Sequence, residues 1–150
     1  MTVSFPARHA HLVLYVEDNL ANLALIEELL ARRGDVQLIS AGTARDGIVL
    51  ASTRQPDVIL MDIHLPDMSG LDALKHLRGH ADTSHIPVMA LSSNAYPLQI
   101  EQGIAAGFFR YLTKPFKIAD FTAALDECLA RVPLQAPAPP PAGCTTQAAP

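Results

Sequence analysis

Five side chains with the chemistry for metal binding or phosphoryl transfer stand at or just beyond the ends of short apolar runs: Glu17, Asp18, Asp62, Ser92 and Lys114. Each has an ordinary explanation when taken singly, because an acid or a serine after a strand often caps a helix and a lysine is commonly a surface charge. If the apolar runs are parallel strands, however, their carboxyl ends meet at one edge of the sheet. The five side chains would then lie together, and the set as a whole indicates a site.

Three carboxylates crowded together repel one another, and a hard divalent cation relieves that repulsion. Mg²⁺ combines a few protein carboxylates with several waters and a substrate phosphate. With the cation bound, one carboxylate can attack phosphorus and form an acyl phosphate. Lys114 would place a positive charge beside the phosphoryl oxygens, and Ser92 would donate a hydrogen bond to them. The set therefore predicts phosphoryl transfer by positioning and charge stabilisation.

The elements that must position these residues alternate along the chain. Short apolar runs typical of buried strands lie at Leu12–Val16, Val36–Ser40, Val58–Met61, Val88–Leu91 and Phe108–Leu112. Helical apolar periodicity lies between and after them, at residues 20–30, 43–55, 71–78, 98–106 and 121–129. This alternation predicts an α/β fold, in which a doubly wound five-stranded parallel sheet carries helices on both faces.

Several helix signals are more specific. The first helix should bury an apolar stripe over Leu20–Leu30, and Gly34 predicts a left-handed conformation at its end. Thr43 and Asp46 have the spacing of a capping box, which predicts a helix start. Cys128 shares the apolar stripe of the last helix, so we expect a buried core residue rather than a reactive thiol.

Composition sets wider bounds on the class of protein. The 150 residues fit one domain, and 49% apolar residues suffice for a core. A net charge of -4 argues against direct nucleic-acid binding. The apolar runs are shorter than the roughly 18 residues of a membrane span, and the start of the sequence lacks a signal-peptide pattern. A cytoplasmic protein without membrane attachment is therefore expected.

The composition changes near Val132. Residues 132–150 contain six of the twelve prolines and no charged side chain. Such a segment has too little apolar surface to order itself. We therefore predict a folded unit over residues 8–131 and a disordered Pro/Ala-rich tail or linker over residues 132–150.

The segments that carry the candidate residues resemble the receiver domain of two-component response regulators. They are residues 13–19, 61–70, 90–93 and 111–116, which read VLYVEDN, MDIHLPDMSG, ALSS and YLTKPF. The resemblance covers roughly residues 11–131 in the family's order and spacing. It implies a flavodoxin-like sheet with the strand order 2-1-3-4-5.

The resemblance also implies a role for each residue of the acidic cluster. Asp62 would be the phosphoacceptor, and Glu17 and Asp18 would bind Mg²⁺ (or Mn²⁺) directly or through water. The main-chain carbonyl of His64 would complete the coordination. His64 and Asn94 would also tune the lifetime of the acyl phosphate.

Three further residues have implied roles in phosphate binding and switching. Ser92 would be the switch hydroxyl, Tyr111 the switch aromatic, and Lys114 the phosphate-binding lysine, joined to Pro115 by a cis bond. Ser92 stands where threonine is commoner in the family, and Ser93 stands where alanine or glycine is usual. Both departures are compatible with phosphoryl transfer, because Ser92 keeps the hydroxyl and Ser93 is small enough not to block access to phosphorus.

The resemblance implies partners as well. The phosphoryl donor would be a phosphohistidine of a histidine kinase or a histidine phosphotransfer protein, and a downstream protein partner would read the switched surface. That surface would be built by the fourth helix, the fifth strand and the fifth helix, which could also form a homodimer. The chain would not be an enzyme in the usual sense, because it catalyses only its own phosphorylation and dephosphorylation.

Three alternatives stay open at this point. The chain could be the receiver module of a hybrid histidine kinase rather than a stand-alone regulator. It could be an aspartate-nucleophile phosphohydrolase of the haloacid-dehalogenase type, although that chemistry wants a second carboxylate at position 64, which is histidine. It could also be a pseudo-receiver that binds partners without phosphate, against which the intact set of site residues argues.

Overall fold

The structure, a computed structural model, describes residues 10–93 and 96–131. Strands and helices alternate along these residues as β1 (His11–Val16), α1 (Leu20–Ala31), β2 (Val36–Ala41), α2 (Ala44–Arg54), β3 (Val58–Asp62), α3 (Gly70–Arg78), β4 (Val88–Ser92), α4 (Pro97–Ala106), β5 (Arg110–Thr113) and α5 (Ile118–Leu129). The predicted domain boundary at residue 8, the lifetime residue Asn94 and the predicted tail of residues 132–150 lie outside the described residues. Those expectations stay predictions.

The five strands form one parallel sheet in the order β2-β1-β3-β4-β5. The predicted α/β fold and strand order are therefore confirmed. In register, Val16 of β1 pairs with Met61 of β3, and Asp62 pairs with Leu91 of β4. The residues that follow β1, end β3 and end β4 thus reach the same edge of the sheet, as the sequence predicts.

The core has two halves, one on each face of the sheet. Successive side chains of a strand point to opposite faces, so Leu14 and Val16 pack with α2 and α3 while Val13 and Tyr15 pack with α1 and α5. Every residue of β3 and β4 is buried. Burial on both faces explains why these strands are continuously apolar rather than alternating.

Two of the predicted local features are confirmed. The Thr43 hydroxyl caps α2 by accepting a hydrogen bond from the N–H of Asp46 at 3.1 Å. Cys128 lies in the half of the core that packs against α1 and α5, where burial raises the pKa of its thiol to about 12. A thiol in this setting stays protonated and inert at neutral pH.

Two expectations for α1 are wrong. Gly34 does not adopt a left-handed conformation, because α1 ends with Arg32 in a right-handed one and the N–H of Arg33 bonds to the Leu30 carbonyl at 3.0 Å. Leu20 is 79% exposed rather than buried. It is the first residue of α1, at the edge of the sheet, whereas Ile26 and Leu30 lie over the sheet itself.

The fifth strand begins two residues later than predicted. Gly107 has a φ of 124° and ends α4, and the N–H of Phe108 closes this turn onto the Gly103 carbonyl at 3.1 Å. The Phe108 amide is therefore used by the end of the helix.

Within the residues that the structure describes, no helix combines the length and the apolar character that a bilayer crossing requires.

Candidate functional site

An acidic cluster forms at the carboxyl edge of the sheet. Glu17 and Asp18 follow β1, and Asp62 is the last residue of β3. One carboxylate oxygen from each of the three lies within 4.8 Å of the other two. Glu17 and Asp62 are buried, whereas Asp18 is exposed, so the cluster is closed on one side and open to solvent on the other.

Glu17 is held by hydrogen bonds from several directions. Its Oε1 accepts from the Tyr15 hydroxyl at 2.8 Å and from Lys114 Nζ at 2.9 Å, and its Oε2 accepts from the N–H of Asn19 at 3.2 Å. Burial acts to raise the pKa of Glu17, but the bonds from Lys114 and Tyr15 outweigh it and lower the pKa. Glu17 is therefore charged and fixed in position.

Asp62 is in the opposite electrostatic situation. Burial and the neighbouring Glu17 raise the pKa of Asp62 to about 6. Lys114 Nζ, 3.8 Å from Oδ1, and the His64 N–H, 3.2 Å from Oδ1, offset this only in part. Burial and Glu17 thus disfavour its charged form, which is the condition that a bound cation relieves.

Lys114 lies beside Asp62, and Ser92 ends the neighbouring strand β4. The N–H of Lys114 bonds to the Ser92 carbonyl at 2.6 Å, which extends the pairing of β4 with β5 by one residue. Ser92 is fully buried at the end of β4. The peptide bond between Lys114 and Pro115 is cis, as the resemblance implies.

The loop after β3 is fastened at its base. His64 pairs with Ser69 in an antiparallel bridge, and the N–H of Gly70 bonds to the Ile63 carbonyl at 2.8 Å. A Cβ at Gly70 would lie 2.6 Å from the Asp62 carbonyl oxygen, so only glycine fits at this close approach. The loop that carries the His64 carbonyl therefore turns back directly over Asp62.

Tyr111 lies apart from the acidic cluster. Its ring packs edge-on against Phe108, with 6.2 Å between ring centroids. A Cβ at Gly103 of α4 would lie 2.8 Å from a ring carbon of Tyr111, so the absence of a side chain there admits the ring. Together with His64, Tyr111 lines a groove of about 180 Å³.

Two residues of this region were not found from the sequence. Tyr15 holds Glu17, and its position two residues earlier on the same strand face is a signal that could have identified it. Asp67 accepts hydrogen bonds from the N–H groups of Ala44 and Arg45 at the start of α2. No local pattern predicts that contact, because it joins residues far apart in the sequence.

The donor set fits a hard divalent cation. It offers carboxylate oxygens, which Mg²⁺ prefers, and the exposed side at Asp18 leaves room for waters and a phosphate. Burial and the neighbouring Glu17 raise the pKa of Asp62, so its charged form is disfavoured without a cation. An acidic cluster with these properties gains stability when a cation binds.

Comparison with known proteins agrees with this geometry. A family model described as the response regulator receiver domain matches residues 13–126. The polar-differentiation response regulator DivK of Brucella ovis is 35% identical over 109 residues, which cover 73% of this chain and 88% of DivK.

Solved structures are also similar. The receiver domain of the sensor histidine kinase PA1611 of Pseudomonas aeruginosa, determined with magnesium coordinated in its active-site cleft, is 30% identical with a TM-score of 0.74. The match covers 81% of this chain and 98% of that one. The chemotaxis response regulator CheY4 of Vibrio cholerae, 24% identical with a TM-score of 0.73 over 80% of this chain and 99% of that one, shares the fold.

Receiver domains of response regulators are phosphorylation-based signalling modules of two-component systems rather than classical enzymes. The family match extends over most of the chain, and the DivK relative is similar over most of its own length. This chain therefore belongs to the response regulator receiver domain family.

Proposed function

We propose that this chain accepts a phosphoryl group on Asp62 from a phosphohistidine of a histidine kinase or histidine phosphotransfer protein, with Mg²⁺ as cofactor. The observation that carries the proposal is the setting of Asp62, a buried carboxylate with a raised pKa between an acidic pair and the Lys114 ammonium group. It combines a nucleophile, a cation site and a fixed positive charge within a few ångströms.

Glu17, Asp18, Asp62 and the main-chain carbonyl of His64 would hold the cation. When bound, Mg²⁺ would neutralise the cluster and stabilise the charge of the phosphoryl oxygens. Asp62 would attack phosphorus through a carboxylate oxygen, and the phosphorus–nitrogen bond would break with its electron pair passing to the donor imidazole.

Lys114 and Ser92 would stabilise the transferred group. Lys114 Nζ contacts Glu17 at 2.9 Å and lies 3.8 Å from Asp62, so a small side-chain movement would bring it to a phosphoryl oxygen. Ser92, at the end of the neighbouring strand, would donate its hydroxyl. Both interactions are charge-assisted and would form only in the phosphorylated state.

The same contacts can supply the free energy of a switch. A phosphoryl group adds roughly -1.5 to -2 charge and three acceptor oxygens. Charge-assisted hydrogen bonds contribute about 1.5–3 kcal/mol each, and a shift from 1:99 to 99:1 needs about 5.5 kcal/mol. Two or three new contacts, from Lys114, Ser92 and a backbone amide, would therefore suffice.

We place the switched surface on α4, β5 and α5. Movement of Ser92 toward the phosphate would change the space into which Tyr111 can rotate, next to Gly103 of α4. Leu98 and Ile104 of α4 are 63% and 46% exposed and offer apolar contact area. A downstream protein partner or a second copy of the chain would bind here.

We place the phosphohistidine donor on the opposite side of the site. A groove of about 390 Å³ beside Lys114 is lined by apolar side chains of α1 and of the connection before α5, among them Leu25, Ile26 and Phe116. Leu20, the first residue of the same helix α1, is 79% exposed. A helix that presents a phosphohistidine to Asp62 would cover this apolar surface.

Two further points stay proposals. The match to the receiver of a sensor histidine kinase favours a second candidate, in which this chain is the receiver module of a hybrid kinase. Both versions predict the same chemistry at Asp62. We also propose a cytoplasmic location, because a histidine kinase presents its phosphohistidine there.

The proposal is tested by incubating the protein with Mg²⁺ and acetyl phosphate and measuring its intact mass. The wild type should gain about 80 Da, the mass of one phosphoryl group. EDTA added beforehand should prevent this gain, and hydroxylamine added afterwards should reverse it. Asp62→Asn should show none, whereas Asp57→Asn, the matched change at the other end of β3, should behave as wild type. An adduct on Asp62→Asn, or rapid Asp62-dependent hydrolysis of a small phosphomonoester, would refute the proposal.

A further inference from the structure

The loop between β3 and α3 is hydrogen-bonded to the start of α2 by the side chain of Asp67. The carboxylate of Asp67 spans the first two N–H groups of α2, with Oδ1 2.9 Å from the Ala44 nitrogen and Oδ2 2.9 Å from the Arg45 nitrogen. These N–H groups have no partner inside the helix. Desolvation acts to raise the pKa of Asp67, but the backbone hydrogen bonds, those from Arg45 and Ala44 foremost, together outweigh it and lower the pKa, so Asp67 is charged at neutral pH.

The base of the same loop is attached elsewhere. The bridge between His64 and Ser69 and the bond from Gly70 to Ile63 close it, and the Ser69 hydroxyl caps α3 by accepting from the N–H of Asp72 at 3.1 Å. The loop is therefore fastened at two points, its base above Asp62 and its tip on α2. His64 belongs to the base, and Asp67 follows three residues later at the tip.

From this juxtaposition we infer that Asp67 is a positioning residue of the cation site: by capping α2 it fixes the loop that presents the His64 carbonyl beside Asp62. The inference rests on the proposed function. Asp67 itself does not belong to the acidic cluster, because the group of three acids that could share an ion among the described residues is Glu17, Asp18 and Asp62. It acts through the loop backbone.

A purely structural role for Asp67 makes a different prediction, and Thr43 supplies the control. The Thr43 hydroxyl caps the same helix through the N–H of Asp46, but it makes no described contact with the loop. Thr43→Ala and Asp67→Ala should each destabilise α2 by a comparable amount, since each removes a cap. Only Asp67→Ala releases the loop.

The experiment measures the dissociation constant of Mg²⁺ by an NMR titration of backbone amides, without a phosphodonor. Asp67→Ala should raise it about tenfold, as is usual when the support of a metal ligand is lost, and Thr43→Ala should leave it unchanged. Asp67→Asn, which keeps one acceptor oxygen, should fall between wild type and Asp67→Ala and serves if the alanine variant does not fold.

The rate of acyl-phosphate formation gives a second readout. For Asp67→Ala the rate should fall at low Mg²⁺ and recover at saturating Mg²⁺, because the nucleophile and Lys114 are untouched. Equal Mg²⁺ affinity of wild type and both Asp67 variants, or an equal loss in Thr43→Ala, would overturn the inference. A wild type that neither binds Mg²⁺ nor forms the adduct would instead overturn the proposed function.

Discussion

The two ends of β3 each carry a buried aspartate, and the two differ in what surrounds them. Asp57, just before the strand, is 4% exposed, and its Oδ2 accepts a hydrogen bond from the Leu12 N–H at 2.8 Å. Asp62, at the end of the strand, is 6% exposed and lies in a cluster with two further acids. Two aspartates that flank or end the same strand are thus similarly buried but have different surroundings.

The difference shows that burial of a carboxylate does not by itself mark a functional site. Asp57 fastens β1 to the connection before β3, because its charge is directed at a backbone donor of the neighbouring strand. The charge of Asp62 meets another carboxylate, and the Lys114 ammonium that would neutralise it lies closer to Glu17. Burial together with a neighbouring carboxylate, rather than burial alone, is what prepares the site for a cation and a phosphoryl group.

The largest effect is expected from removing the structural aspartate. Asp57→Ala should lower the free energy of unfolding by about 2 kcal/mol, because a charge-assisted hydrogen bond is lost and the Leu12 N–H is left without this acceptor. The folded fraction should still form the acyl phosphate. Urea denaturation measures the stability and intact mass measures the phosphorylation. If the folded Asp57→Ala variant could not be phosphorylated, Asp57 would not be a purely structural residue.

At the other end of the strand, replacing the aspartate should stabilise the protein instead of destabilising it. In EDTA at pH 7.5, Asp62→Asn should raise the free energy of unfolding by about 1–2 kcal/mol, because it removes a carboxylate whose charged form is destabilised by burial and by Glu17. Adding Mg²⁺ should stabilise the wild type and leave the variant unchanged. Urea denaturation with and without Mg²⁺ tests this, with Asp57→Asn as the matched control; loss of stability in Asp62→Asn would contradict our account.

A smaller effect concerns pH. The pKa of Asp62 is raised to about 6 in the folded protein, so between its ordinary value and 6 the folded state binds more protons than the unfolded state. Stability should therefore fall as the pH rises through this range, by about 1 kcal/mol between pH 5 and 7.5 in EDTA. The pKa of Glu17 is lowered, and its opposite contribution is lost only below its ordinary pKa.

The measurement compares wild type with Asp62→Asn in urea titrations across that pH range. Subtracting the two curves cancels the other titrating groups, and the difference should shrink toward pH 5. A difference that is constant with pH would mean that Asp62 does not carry the raised pKa. Mg²⁺ should flatten the wild-type curve, because the cation favours the charged carboxylate.

Most of the fold and much of the candidate site followed from local sequence features. The strand order is that of the resembled family, and the acidic cluster followed from acids placed directly after two apolar runs. The end of α1 and the start of β5 were predicted wrongly. In each case a backbone hydrogen bond that closes the end of a helix, from Arg33 to Leu30 or from Phe108 to Gly103, outweighs the local residue preference. The Asp67 contact was missed because it joins the loop after β3 to the start of α2, and the two meet only after folding.

The sequence by itself determined which chemical groups reach the carboxyl edge, since the alternation of strands and helices fixes where each strand ends. Only the tertiary structure decided the electrostatic setting of each group. Tyr15 and Lys114 donate hydrogen bonds to Glu17, whereas the pKa of Asp62 is raised. The physical reason is that the pKa of a carboxyl group depends on distances of a few ångströms and on burial. Residues distant in the chain set both, and no local pattern encodes them.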